Sequence, residues 1–322
     1  MWRPGFTATM LGLLMLLGRG ADGAAPRVEL KCDDAQGQMQ ILIDGAEALA
    51  YQYGAQCDMP HYYPVHSPTG KLLTVQQTTP YPHHRSFWFA DTIQFADGPK
   101  TSFYSAMYSA LDKKDPKSPL KTQIQHVKFL ARESTPQGAK VEAQLVWVTD
   151  QGKTPMLDEV RTMRVVPLGA GEYLLDCTFV VTAAYADVTF ASDATHYAWP
   201  YVRIHPQFSA KDGKGQLTNS EGTTGEKGTM KQAARWVDFS GEVEGVTEGL
   251  TIFSDPQQPQ PRFFTRDYGT FGPRRPDEQS GKPFVLAKGQ SLRQRVGILV
   301  HKGDVSGGQV AKRYQAFAEG KL

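Results

Sequence analysis

The feature that most constrains this chain is the alternation of apolar and polar residues that recurs along most of its length. Gln123–Leu130 reads QIQHVKFL and Lys140–Val148 reads KVEAQLVWV. In an extended backbone successive side chains point to opposite faces, so such runs build strands with one apolar and one polar face. Met39–Asp44 alternates in the same way and then turns at Gly45. Arg161–Val166, Tyr173–Val181, Asp187–Phe190, Val243–Phe253, Pro283–Leu286 and Ser291–Val300 continue the series. Gly and Pro, with 31 and 21 copies, fall between these runs and supply turns at the spacing of β sandwiches. The pattern predicts an all-β chain. One segment differs: Gly308–Glu319 sets Val310, Tyr314 and Phe317 on one helical face, which predicts a short C-terminal helix. Asp112–Pro119 and Lys211–Gly228 are polar and turn-rich, and read as loops, the second long enough to rim a site.

The N-terminus has a different character. Arg3 gives a basic start, Thr9–Leu17 is a brief apolar run, and Gly20–Ala25 offers small residues for cleavage. This is the layout of a secretory signal over residues 1–25, and it predicts a periplasmic or extracellular protein. The apolar run is too short to span a bilayer and no second candidate follows it. Residues 26–322 carry no repeat and no low-complexity linker, so a single β-sandwich domain is expected. The formal net charge of +2 comes from interspersed acids and bases. That distribution lacks the clustered basic face a nucleic-acid partner needs. Cys32 and Cys57 are able to pair in an oxidising compartment, whereas Cys177, inside an apolar run, is expected to be a buried thiol. No CxxC or Cys/His zinc spacing occurs, and no metal or other cofactor is expected.

The chemistry-bearing residues gather in four places. Tyr81–Ala90 reads YPHHRSFWFA and sets His83 and His84 beside Arg85 and Trp88. Imidazole moves protons near neutral pH, Arg grips oxyanions, and Trp offers a flat face to a sugar ring. Adjacent strand residues face opposite ways, so both histidines reach one pocket only if the backbone turns there. Glu159 and Arg161, two apart, share one strand face, either as the floor of a polar site or as a solvated ion pair. Arg235, Trp236 and Asp238 form the third group, and Arg266, Asp267 and Tyr268 the fourth. Each group also has a plain structural reading, as strand ends packed under loops. Recurrence of the same mixture predicts that the four converge on one concave surface, because a core needs few charges and a solvated surface needs few aromatic rings.

Four ordered segments resemble the PmoA-like family of exported bacterial proteins. They are Pro64–Gly70 with Pro82–Ala90; Leu217–Gly222; Ala234–Gly241; and Gly249–Asp255 with Thr265–Gly269. The chain departs from that family's pattern at Tyr81, Ser86 and Asp91, where Asp, Gly and His are usual. The resemblance implies a large antiparallel β sandwich (a supersandwich similar to galactose mutarotase), and a pocket drawing on His83, His84, Arg85, Glu159, Arg161, Trp236, Arg266 and Tyr268. It also implies an association with sugar metabolism.

Two function classes stay open. In the first, the chain is an enzyme of lyase or hydrolase type acting on a sugar or glycan. His83, His84, Glu159 and Tyr268 would move protons, while Arg85, Trp88, Arg161, Trp236, Arg266 and Asp267 bind substrate. In the second, the same groups bind a carbohydrate without turning it over. A weaker alternative is a metal site built from His83 and His84 with His66, His196 or His205. The expected partner is a carbohydrate or another small molecule.

Overall fold

The computed structural model describes Met1 and residues 27–115, 118–191, 198–275 and 283–322. The predicted leader and His196 lie outside these residues. Two eight-stranded antiparallel sheets pack face to face. The first runs in the order Val28–Asp33, Gln38–Ile43, Ala46–Gln52, His61–Val65, Phe87–Trp88, Tyr201–Arg203, Thr270–Pro273, Phe263–Thr265. The second runs Gly215–Asn219, Trp236–Val243, Val246–Ser254, Ser291–Lys302, Glu172–Thr182, Thr154–Gly169, Gly138–Thr149, Gln123–Thr135. A small sheet, Phe284–Leu286, Val188–Phe190, Thr92–Phe95 and Lys100–Ser102, completes the sandwich. Alternation decides which residues enter the core. Tyr173, Leu175, Cys177, Phe179 and Val181 point between the sheets, whereas Leu174 points out of the sandwich. The outer face there is covered by the C-terminal helix Val310–Ala318, through Val310 and Phe317 packed on Leu174, Trp236, Phe253 and Leu299.

The all-β sandwich and its C-terminal helix agree with the sequence pattern, and three details differ. Val243–Phe253 is not one strand. Glu244 and Gly245 both take positive φ, 54° and 78°, and Val243 pairs with Val246 across a two-residue hairpin turn. Lys211–Gly228 is not all loop: it holds the edge strand Gly215–Asn219 and a short helix, Gly225–Thr229. Several strands escape the pattern. Among them are Val28–Asp33, and Ala46–Gln52 and His61–Val65, where mixed burial blurs the alternation, and the short strands Phe87–Trp88, Tyr201–Arg203, Phe263–Thr265 and Thr270–Pro273. All three cysteines are free: Cys32 is exposed, Cys57 half-buried and Cys177 buried. Among the described residues no helix is long and apolar enough to cross a membrane.

Candidate functional site

Three adjacent strands of the first sheet assemble residues far apart in sequence. Phe87 pairs with Val202 and Arg203 pairs with Thr270. The Arg203 amide donates to the Ser86 carbonyl at 2.7 Å. This register brings the segment around His84, the end of Tyr201–Arg203 and the turn before Thr270 to one edge of the sandwich.

The backbone does turn at the histidines. The His84 amide donates to the Tyr81 carbonyl at 3.0 Å, and the two imidazoles meet edge to face with centroids 4.6 Å apart. They have different environments. His84 is buried against Tyr81, its Nε2 lies 2.8 Å from the Tyr104 hydroxyl, and its Nδ1 lies 3.4 Å from Thr270 Oγ1. Burial, His83 and Arg203 push its pKa down to about 3, so it is a neutral, pinned ring. His83 is half-buried, with Nδ1 3.3 Å from the hydroxyl of the exposed Tyr108. Burial and then Arg85 lower its pKa, partly opposed by Asp58, so it is neutral at neutral pH and able to accept a proton.

Arg85 and Asp58 form a buried pair, with Nε and Nη2 donating to Asp58 Oδ1 at 3.0 and 2.8 Å. Among the described residues Arg85 Nη1 and Asp58 Oδ2 have no hydrogen-bond partner, a state that buried charged atoms rarely keep. The pair lines a cleft of about 550 Å³ whose other walls carry Gln56, Gln77, Gln123, Gln125 and Gln151. Gln123 and Gln125 are linked, Nε2 of Gln125 donating to Gln123 Oε1 at 2.8 Å. Met107 and Ala110 close one side, and Tyr108 and Ser105 on the same segment border a second cleft of about 580 Å³. Tyr108, the partner of His83, therefore sits on the segment 105–110 that borders both clefts.

Across the loop lies a smaller cleft of about 230 Å³, lined by Thr78–Tyr81, Arg203, Pro206, Lys211, Asp212 and Tyr268. Tyr81 is stacked between His84 and Tyr268, at 4.8 and 5.0 Å. Arg203 lies over the Tyr268 ring at 4.5 Å, and its Nη1 donates to the Tyr268 carbonyl. Burial, reinforced by Tyr81 and only partly opposed by Thr270, Arg203 and Arg266, lifts the Tyr268 phenol above its ordinary value, so Tyr268 is a wall rather than a base.

The remaining expected site residues lie elsewhere, and the four groups do not converge on one surface. Glu159 and Arg161 do share a strand face, but that face is the core. Glu159 accepts from Trp147 Nε1 and Arg161 Nε, both at 2.8 Å, and Arg161 Nη1 donates to the Pro60 carbonyl at 2.8 Å. Neither is open to substrate: both are at most 2% exposed. Trp88, 1% exposed, stacks on Tyr201 at 4.8 Å as a core ring. Trp236 lies on the outer face of the second sheet, lining a separate cleft with Arg235 and the C-terminal helix. Asp238, on that strand, is buried and accepts from His301 Nε2 and Thr251 Oγ1 at 2.8 and 2.6 Å. Arg266 pairs with Glu226 at 2.6 Å, and Asp267 accepts from the Glu226 amide at 2.9 Å, so both hold the short helix Gly225–Thr229 in place. For the metal alternative, the His84 nitrogens face hydroxyls, His66 faces Glu47, and His205 Nδ1 accepts from the Gln207 amide. Among the described residues no group of three His, Cys, Asp or Glu is placed to hold a metal ion.

Asp58, Tyr104, Tyr108 and Arg203 belong to the site and were not singled out from sequence. Tyr104 and Tyr108 stand in the aromatic run FYSAMY, which is a visible signal; Asp58 and Arg203 carry none, since only the fold brings them to the loop.

No curated protein matches the sequence. Solved structures with a similar chain path include a GH36 α-galactosidase from Geobacillus stearothermophilus, at 8% identity and TM-score 0.46, over 84% of this chain and 41% of that one. Galactose 1-epimerase from Lactobacillus acidophilus NCFM gives 8% identity and TM-score 0.40 over 86% and 99% of the two chains. An α-galactosidase from Lactobacillus brevis gives 9% and 0.40 over 87% and 40%. The chain thus spans about two fifths of the length of these galactosidases. With scores below 0.5 at such identities, nothing about ligand or activity follows from them. A family match covers most of the sequence, residues 38–315, and the chain accordingly belongs to the family of unknown function DUF6807.

Proposed function

We propose that this chain is an exported, carbohydrate-directed protein, and that His83 and Tyr108 are the proton-transfer couple of an enzyme of lyase or hydrolase type. The observation that carries the reading is the amide-lined cleft floored by the buried Asp58–Arg85 pair, with His83 beside it. An amide side chain both donates and accepts, which suits the paired donor and acceptor character of sugar hydroxyls. Neutral His83 removes a proton from the sugar, and the Tyr108 hydroxyl gives one to the departing oxygen as its bond to the ring breaks. Arg85 lies close enough to act electrostatically on His83 and to stabilise the negative charge that develops. The resemblance to the PmoA-like family supports the sugar association and the export.

The test is a screen of purified protein against a panel of glycans and keto-sugars, followed for new reducing ends and for ultraviolet absorbance of unsaturated products. His83→Ala and Tyr108→Phe are expected to lower turnover by about 10²-fold or more while ligand still binds. Wild-type binding without turnover of any panel member supports the non-catalytic binder instead. Neither binding nor turnover overturns the carbohydrate reading.

A further inference from the structure

Arg203 is a charged side chain in an unusual position. It is 4% exposed, and among the described residues it forms no ion pair, Asp212 acting on it only through its charge. Its Nη1 donates to the Tyr268 carbonyl and lies 3.5 Å from Thr270 Oγ1, while Nε has no partner. Burial lowers its pKa, with only partial relief from Tyr268 and Asp212. A guanidinium is costly to bury without a counter-charge. The ring of Tyr268 at 4.5 Å offsets part of that cost and leaves the guanidinium without a carboxylate in contact. Arg203 lines the 230 Å³ cleft together with Lys211 and Asp212, so its charged lining is two cations against one anion. Thr78 and Thr79 add hydroxyls to the same wall, and Thr78 Oγ1 is buried without a partner.

We infer that this cleft binds a small organic carboxylate, with Arg203 as the buried anchor, Lys211 as the exposed second cation and the threonine hydroxyls around the rest of the molecule. The planar guanidinium matches a carboxylate in shape and charge, and the cleft has room for a ligand of sugar-acid size rather than a polymer. It lies across the loop 78–84 from the amide-lined cleft, so its occupancy does not depend on the function proposed for His83 and Tyr108.

The probe is galacturonate, with galactose as its neutral counterpart and inorganic phosphate as a different oxyanion, each titrated into the full-length chain by calorimetry. Galacturonate is expected to bind saturably, more weakly as salt is raised, and galactose to bind much less. Arg203→Lys keeps the charge but loses the fork, and is expected to weaken galacturonate by about tenfold or more. Lys211 is exposed, so Lys211→Ala leaves the fold intact and is expected to weaken binding several-fold even if Arg203→Lys fails to fold. Gln123→Ala, on the wall of the amide-lined cleft and absent from this one, is expected to bind galacturonate as the wild type does, which separates the two clefts. Equal binding of galactose and galacturonate, binding of phosphate without galacturonate, or indifference to Lys211→Ala overturns the inference.

Discussion

At the scale of single residues, the same side-chain types serve different ends according to what encloses them. Glu159 and Arg161 pair inside the core, and Glu159 also accepts from Trp147. Removing one partner strands a buried charge. Glu159→Gln is therefore expected to cost about 3–5 kcal/mol in chemical denaturation, and a cost below about 1 kcal/mol would contradict a sealed pair. The buried histidines set a pH dependence. Burial holds His61 and His126 at about 4 and His84 at about 3, against an ordinary value of about 6.5 in the unfolded chain. Below pH ~6.5 the unfolded chain binds protons that these rings refuse in the fold, so their contribution makes stability fall as pH drops toward about 4. His301 works the other way. Burial lowers its pKa, but the Asp238 charge and hydrogen bond outweigh that and raise it. Its stabilisation is present below the unfolded value and fades as pH rises through the folded one. Burial lowers His83 and His205 as well, so five rings against one predict net acid sensitivity. Thermal melts from neutral pH downward check this, with a shallower slope expected for His84→Gln; melting temperatures that rise on acidification would contradict it.

At the scale of elements, the outer face of the second sheet is closed by packing against the C-terminal helix. The C-terminal helix is short for independent stability, so its tertiary contacts hold it. Phe317, 1% exposed, packs on Phe253 at 5.6 Å and under the Arg295 guanidinium at 4.3 Å. Phe317→Ala is expected to cost about 3–5 kcal/mol, read as a lower denaturation midpoint with the slope unchanged. The turn into this helix adds a second test. A Cβ on Gly308 would lie 2.2 Å from His301 Nδ1, and one on Gly249 would lie 2.9 Å from the same ring. The two glycines thus make the slot in which His301 reaches Asp238. Gly308→Ala is expected to destabilise the fold and to weaken the His301–Asp238 contact, visible as a loss of the raised His301 pKa by NMR titration. An unchanged His301 titration would show that the ring does not need the slot.

At the scale of the whole molecule, the expected leader gives a prediction of its own: intact-mass analysis of chain from a secreting host should begin near Ala25 or Pro26, whereas mature protein still carrying Met1 would contradict export. What the sequence determined by itself was the local geometry. Period-two runs at Gln123–Leu130, Lys140–Val148 and Tyr173–Val181 dictate strands, because alternation leaves only one way to bury the apolar half of each run. The helical spacing of Val310, Tyr314 and Phe317 dictates the helix in the same manner. The histidine turn was legible as a condition, since Pro82 precedes two adjacent imidazoles that meet only if the backbone reverses. Which face is core was not legible. Their spacing puts Glu159 and Arg161 on one face, yet that face is sealed by the opposite sheet, and Trp236 sits on the far side of its own strand under the helix. Strand order decided the site. Phe87–Trp88, Tyr201–Arg203 and Thr270–Pro273 are neighbours in space, and that pairing alone brings His84, Arg203 and Thr270 together. Alternation specifies a strand's two faces but not its neighbours, because every backbone edge offers the same hydrogen-bonding groups; only collapse around a shared core selects the partners, and with them the residues that share a cleft.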